Sequence, residues 1–218
     1  MYAILPVAPG TYWVGTHAGL SILTPNARPG QRGRPGHRRP GGGAPNFIRA
    51  LFRDSRGCIW LGSRRGGVAW CETTGTAAGR WHELTGIPSL AGGHILSFAE
   101  DRRGRLWIGS YANGLTVLDG ATLRAQLFGL DPAPGNRLAQ GTIWRTYCDR
   151  RGTVWLGSDN HGLVRATDSA GTVCFRRVDG QRGRLSVSSL SEGAAGHLRL
   201  LHRRRPDGRR DRRRPRRP

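Results

Sequence analysis

Four tryptophans constrain this chain more than any other feature. Trp13, Trp60, Trp107 and Trp155 stand 47, 47 and 48 residues apart. The last three close the phrases Asp54-Ser-Arg-Gly-Cys-Ile-Trp-Leu-Gly-Ser63, Asp101-Arg-Arg-Gly-Arg-Leu-Trp-Ile-Gly-Ser110 and Asp149-Arg-Arg-Gly-Thr-Val-Trp-Leu-Gly-Ser158. The first, Gly10-Thr-Tyr-Trp-Val-Gly-Thr16, shares the second half of that phrase. Twelve residues before the later tryptophans come Ile48, Ile95 and Ile143, and behind a later glycine come Leu20, Val68, Leu115 and Leu163. A repeat of this length is one supersecondary unit that cannot bury its own faces. It must stack on its copies.

The residues also fix what the unit is. Ile95 to Glu100 reads as a short strand, and Asp101 to Gly104 as a tight turn. The Asp side chain can accept nearby backbone N–H groups there, and Gly can take positive φ. Arg105 to Ser110 returns, with Leu106 and Ile108 on one face and Trp107 on the other. Tyr111 to Gly114 turns again, Leu115 to Leu118 is a third strand, and Leu123 to Phe128 a fourth. The neighbouring units end on Arg80 to Leu84 and Thr172 to Val178. Four antiparallel strands per unit make the blade of a β-propeller. With 34 Gly and 13 Pro, more than a fifth of the chain is turn-forming, which suits strands and turns better than a helical bundle.

The repeat D-x-x-G-x-Φ-W-Φ-G-S/T-x-x-x-G-Φ resembles the two-component regulator propeller repeat over roughly residues 1 to 180. The resemblance implies an all-β fold of four four-stranded units, an arc of a propeller that in the family has about seven blades. It implies a non-catalytic sensor of a small molecule or carbohydrate, periplasmic, with no cofactor. It also implies that further blades and a kinase, cyclase or DNA-binding output module do the signalling. Met1 falls on the position of Ile48, Ile95 and Ile143, so the sequence reads as starting inside a blade. No signal peptide, membrane-length apolar run or output-domain motif is visible.

Leu185 to Leu190 resembles the opening strand of a fifth unit within 181–198, and Gly196-His-Leu-Arg199 its next step, with Arg199 where Trp belongs. From 199 to 218 we expect a disordered Arg-rich tail. An irregular Arg/Pro/Gly insert at 26–45 likewise interrupts the first unit.

Charge gathers in those two places. All 35 basic Lys+Arg residues are Arg, and the formal net charge is +21. Asn26 to Pro40 holds five Arg and no acid; Arg199 to Pro218 holds eleven Arg against Asp207 and Asp211. Out-of-frame translation of a GC-rich gene yields such Arg, Pro and Gly runs, and we expect that origin. A basic arm binding phosphates electrostatically is the competing reading. It ranks behind, because the tail has no aromatic residue to stack bases. The absence of Lys removes lysine-dependent phosphate and Schiff-base chemistry. Cys58, Cys71, Cys148 and Cys174 lack C-x-x-C spacing, so no metal site is expected and buried free thiols are.

The repeat-position residues Trp13, Trp60, Trp107, Trp155, Asp54, Asp101, Asp149, Gly57, Gly104 and Gly152 are read as structural. Candidate ligand contacts lie in the loop after each Gly-Ser/Thr, where the framework recurs and the side chains change: His17, Arg64, Arg65, Tyr111, Asn113, Asp159, Asn160 and His161. Variable loops on a fixed scaffold are where binding residues sit. No catalytic residues are assigned. A streptogramin-lyase-like enzyme would need a paired central His, and only His161 is placed for that.

Overall fold

The computed structural model describes residues 3–24, 47–74, 77–91, 93–128, 141–159, 162–169, 172–178 and 185–204. The insert at 26–45, Asn160, His161 and the tail beyond Arg204 lie outside them. The described residues are all-β and form five antiparallel sheets. The first comprises β1 (Ala3–Ala8), β2 (Thr11–Thr16) and β3 (Gly19–Leu23). Three sheets of four strands follow: β4 (Ile48–Arg53), β5 (Ile59–Ser63), β6 (Val68–Thr74) and β7 (Ala77–Glu83); β8 (Ile95–Glu100), β9 (Arg105–Ser110), β10 (Leu115–Asp119) and β11 (Ala125–Phe128); β12 (Ile143–Cys148), β13 (Val154–Ser158), β14 (Leu163–Ser169) and β15 (Thr172–Arg177). The fifth pairs β16 (Leu185–Glu192) with β17 (Leu198–Arg204). Within each sheet the strands follow chain order. The opening strands β1, β4, β8, β12 and β16 pack one beside the next, which is the arrangement of propeller blades around an axis.

The core is split into layers between blades. Leu106 and Ile108 pack with Trp60 and Ile95, whereas Trp107 packs with Ile143, Val154 and Leu156. Alternate residues of β9 thus serve the blades on opposite sides, and all three are buried. Trp13 lies in a layer with Ile59 and Cys71, and Trp155 packs against Val187 and Leu190. Each repeat tryptophan therefore covers the next blade.

The Asp–Trp spacing has a direct geometric meaning. Asp101 Oδ1 accepts the Arg103 and Arg105 N–H groups at 2.9 and 3.0 Å, and Oδ2 accepts the Trp107 indole N–H at 2.8 Å. Asp54 and Asp149 repeat this, with Trp60 and Trp155 at 2.9 and 2.8 Å. The turn former is also the acceptor for the core tryptophan, a link the sequence reading missed. Gly57, Gly104 and Gly152 hold the turns at φ of 88, 73 and 83°. In the first unit Val7 replaces the Asp, and Trp13 Nε1 is buried without a partner among the described residues.

The fifth sheet lacks both members of the pair. Gly193 stands at the Asp position and Arg199 at the Trp position. The turn keeps its backbone bonds, Gly193 N–H to His197 O at 2.9 Å and Gly196 N–H to Gly193 O at 3.0 Å, and the Arg150 side chain of the preceding blade donates to Ala194 O at 3.2 Å. The tail drawn from Arg199 is therefore corrected: residues 199–204 belong to β17. They hold their place because Leu200 packs with Leu163, Val187 and Leu190.

Two smaller expectations also change. β11 starts at Ala125 rather than Leu123, because Asp119 Oδ1 gathers the Ala121 and Thr122 N–H groups and Leu123 takes φ 57°, which no strand residue adopts. Of the cysteines, all free, Cys58 and Cys71 are buried, but Cys148 is half-buried and Cys174 is exposed on β15.

Candidate functional site

The loops between the second and third strands share one position in the three four-stranded blades. Arg64 N–H donates to Phe47 O at 2.9 Å, Tyr111 N–H to His94 O at 2.9 Å and Asp159 N–H to Thr142 O at 3.1 Å. Each loop is thus pinned beside the residue that enters the innermost strand, at the same end of each sheet. The preceding serine builds the loop: Gly66 N–H donates to Ser63 Oγ at 2.6 Å and Asn113 N–H to Ser110 Oγ at 3.0 Å. A fixed backbone thereby presents a different side chain in each blade.

The structure joins some of the sequence candidates and separates others. The Tyr111 ring, 50% exposed, stacks on His94 with centroids 5.4 Å apart and meets Trp144 edge-on at 6.1 Å. Arg64 and Arg49 lie over the Phe47 ring, at 5.6 and 5.9 Å from its centroid. Two clusters run from blade two to blade four, Arg64, Arg49 and Phe47 in one and His94, Tyr111 and Trp144 in the other, with Arg49 and Arg64 close enough to His94 to lower its pKa. Asn113 turns into the scaffold, its amide donating to Ser89 O at 2.8 Å. Arg65 is exposed at its loop tip, and His17 is exposed in the β2–β3 turn of the first blade. Asp159 is half-buried in its loop, and Asn160 and His161 lie outside the described residues.

Phe47, Arg49, His94 and Trp144 escaped the sequence reading. The signal for two of them was present at the residue after the opening isoleucine of each inner strand. Arg49, Leu96 and Trp144 occupy it in the three full blades, and it varies as the loops do. Burial, then the charges of Arg49 and Arg64, hold the His94 imidazole below its ordinary pKa, so it is neutral near pH 7. His94 Nε2 and Trp144 Nε1 are buried without a partner among the described residues.

Beside these clusters, along the axis, opens a cleft of about 440 Å³ between the inner strands. Arg49, Leu96, Trp144 and Arg145 line it together with Ile4, Ser188 and Ser189. Both charged residues of its lining are arginines.

The family model described as two-component regulator propeller matches residues 42–65 and 89–112, the phrases around Trp60 and Trp107. No curated protein matches the chain. Among solved structures, the chain is similar to the extracellular domain of the hybrid two-component system BT4673 from B. thetaiotaomicron, at TM-score 0.65 and 17% identity, covering 93% of this chain and 25% of that one. It is similar to PorZ, a bacterial surface component of the type-IX secretion system of Porphyromonas gingivalis, at TM-score 0.65 and 16% identity, covering 90% and 30%. It is also similar to virginiamycin B lyase from Staphylococcus aureus, at TM-score 0.60 and 12% identity, covering 92% and 62%. The chain thus spans a quarter to under a third of the first two. These likenesses show the propeller fold.

Proposed function

We propose that this chain, a member of the two-component regulator propeller family by its repeats, is a non-catalytic, ligand-binding segment of a bacterial sensory protein. The observation that carries the reading is the row of loops. One scaffold presents Arg64 and Tyr111 at equivalent, backbone-pinned places beside an open cleft. The cleft lining supplies hydrogen-bond donors, hydroxyls and apolar surface, a set suited to holding a ligand. On this reading the ligand is a small molecule or saccharide, and the segment faces the periplasm, as the extracellular domains it resembles do. Further blades and the output module belong to the same signalling system. A lyase reading rests on His161 alone, outside the described residues, and on a likeness that shows fold only.

The test is a saccharide and metabolite panel read by the thermal shift of the purified chain, followed by titration calorimetry on hits. Tyr111→Ala is expected to weaken binding about tenfold or more, the loss of one aromatic face. The exposed Arg56→Ala, on the opposite turns, is expected to leave it unchanged. Equal losses at both positions, or none at Tyr111, would refute the site.

A further inference from the structure

We infer that the axial cleft takes an anionic, ring-bearing ligand, with Arg49 and Arg145 holding the charge and Trp144 the ring. The inference rests on the ligand-binding reading above and adds the chemistry and the residues. Innermost strands of a propeller line its central channel, so the side chains they turn inward decide what that channel can hold. Here β4 and β12 place Arg49 and Arg145 in the cleft, and no carboxylate lies among the described residues of its lining. Like charges gathered in a concave surface focus a positive potential and favour an anion. Guanidinium groups match carboxylate or sulfate oxygens in a planar fork.

The surroundings point the same way. Arg49 shares the Phe47 ring with Arg64, so a third guanidinium stands close to the two in the cleft. Burial, then the charges of Arg49 and Arg64, lower the His94 pKa, which disfavours a further cation there. Ser188 and Ser189 on β16 supply hydroxyls to the opposite wall. Trp144 lines the cleft while its Nε1 has no acceptor among the described residues, and a small turn of the ring toward a bound oxygen would satisfy it. Leu96 and Ile4 give apolar contact for a ring edge, and Ile4 is 53% exposed without a ligand.

The experiment uses the full chain and four probes: D-glucuronate (ring and charge), D-glucose (ring alone), inorganic sulfate (charge alone) and benzoate (charge on an aromatic ring). Binding is followed by tryptophan emission and calorimetry at two salt concentrations. Glucuronate or benzoate should bind, more weakly at high salt, and about tenfold or more tighter than glucose or sulfate. Arg145→Gln and Arg49→Gln should each weaken that binding about tenfold or more and reduce its salt dependence. Arg49→Lys, which keeps the charge but loses the planar fork, should weaken binding less than Arg49→Gln while keeping its salt dependence, and unchanged melting of each variant shows that folding is intact. Glucose binding that is lost in Tyr111→Ala but indifferent to both Arg→Gln variants overturns the anion inference and leaves the ligand-binding reading standing. Failure of glucuronate and benzoate to bind at millimolar concentration also overturns the inference. So does binding of either that is insensitive to both arginines.

Discussion

Gly109→Ala tests how the blades are held together. Gly109 follows Trp107 and Ile108 at the end of β9 and has no positive φ, so its own backbone tolerates a side chain. In isolation the change would stabilise by about 0.4–1 kcal/mol through the unfolded chain. The next blade reverses that sign. A Cβ at this position would stand 2.6 Å from Ser97 Oγ, 2.8 Å from Ile143 O and 2.9 Å from Ile143 Cγ2. Ile143 O is backbone at the start of β12 and cannot swing aside. Ser97 can rotate only by leaving buried Thr146, whose N–H and hydroxyl lie 3.0 and 3.3 Å from its Oγ. Overpacking of this kind costs about 1–3 kcal/mol, and the lost hydrogen bonds about 1 kcal/mol each. The net expectation is a destabilisation of about 2–4 kcal/mol, or a Tm lowered by about 5–10 °C for a chain of this size. Urea unfolding followed by tryptophan fluorescence measures it. Gly104→Ala, where Glu100 Oε1 is 3.9 Å away but φ is 73°, should cost only about 1–2 kcal/mol of backbone strain. A Gly109→Ala protein as stable as the parent would refute the close approach of blades three and four.

Acid should weaken the Asp–Trp links. Burial raises the Asp101 pKa, but hydrogen bonds from Trp107 and Arg105 outweigh it and hold the carboxyl below its usual value. Asp149 is lowered in the same way by Trp155, Thr153 and Arg151. With the folded value below the unfolded value of about 3.9, this stability is present above pH ~4 and is lost as pH falls through the folded pKa. Urea midpoints measured from neutral pH downward should therefore fall, and less steeply in Asp101→Asn. Trp60→Phe should cost about 1–2 kcal/mol more than Trp13→Phe. The first takes the indole donor from buried Asp54 Oδ2 and leaves that oxygen the half-exposed Arg56 guanidinium at 3.3 Å, whereas the second removes an indole N–H that has no partner among the described residues. Equal costs in paired urea melts would contradict the role given to these aspartates.

The strand order and turn positions were legible because they are local. Period-two alternation wrote β8 to β10 into the sequence, and Asp-x-x-Gly wrote the turns. The layer assignment was half legible: alternation put Trp107 opposite Leu106 and Ile108, but not which neighbour each side meets. The candidate site was legible only at its loop tips. Arg64 and Tyr111 stood out as changes against a constant frame, whereas His94 and Trp144 meet Tyr111 through ring contacts, one within blade three and one across to blade four, between residues 17 and 33 apart in the chain. Asn113 looked equally variable, yet its amide is used by the scaffold.

By itself the sequence determined that this protein is a row of blades. The spacing of Trp13, Trp60, Trp107 and Trp155 leaves each unit with two apolar faces and no other way to bury them. What each repeated letter is for was decided by the tertiary structure. The Asp is kept for an indole six residues on, and the glycine after Trp-Φ for the backbone of the next blade. Arg49 and Arg145, unremarkable on their own strands, line one cleft only when the inner strands gather around an axis. Local propensity can set a turn or an alternation, but contacts between units arise only when the units stack.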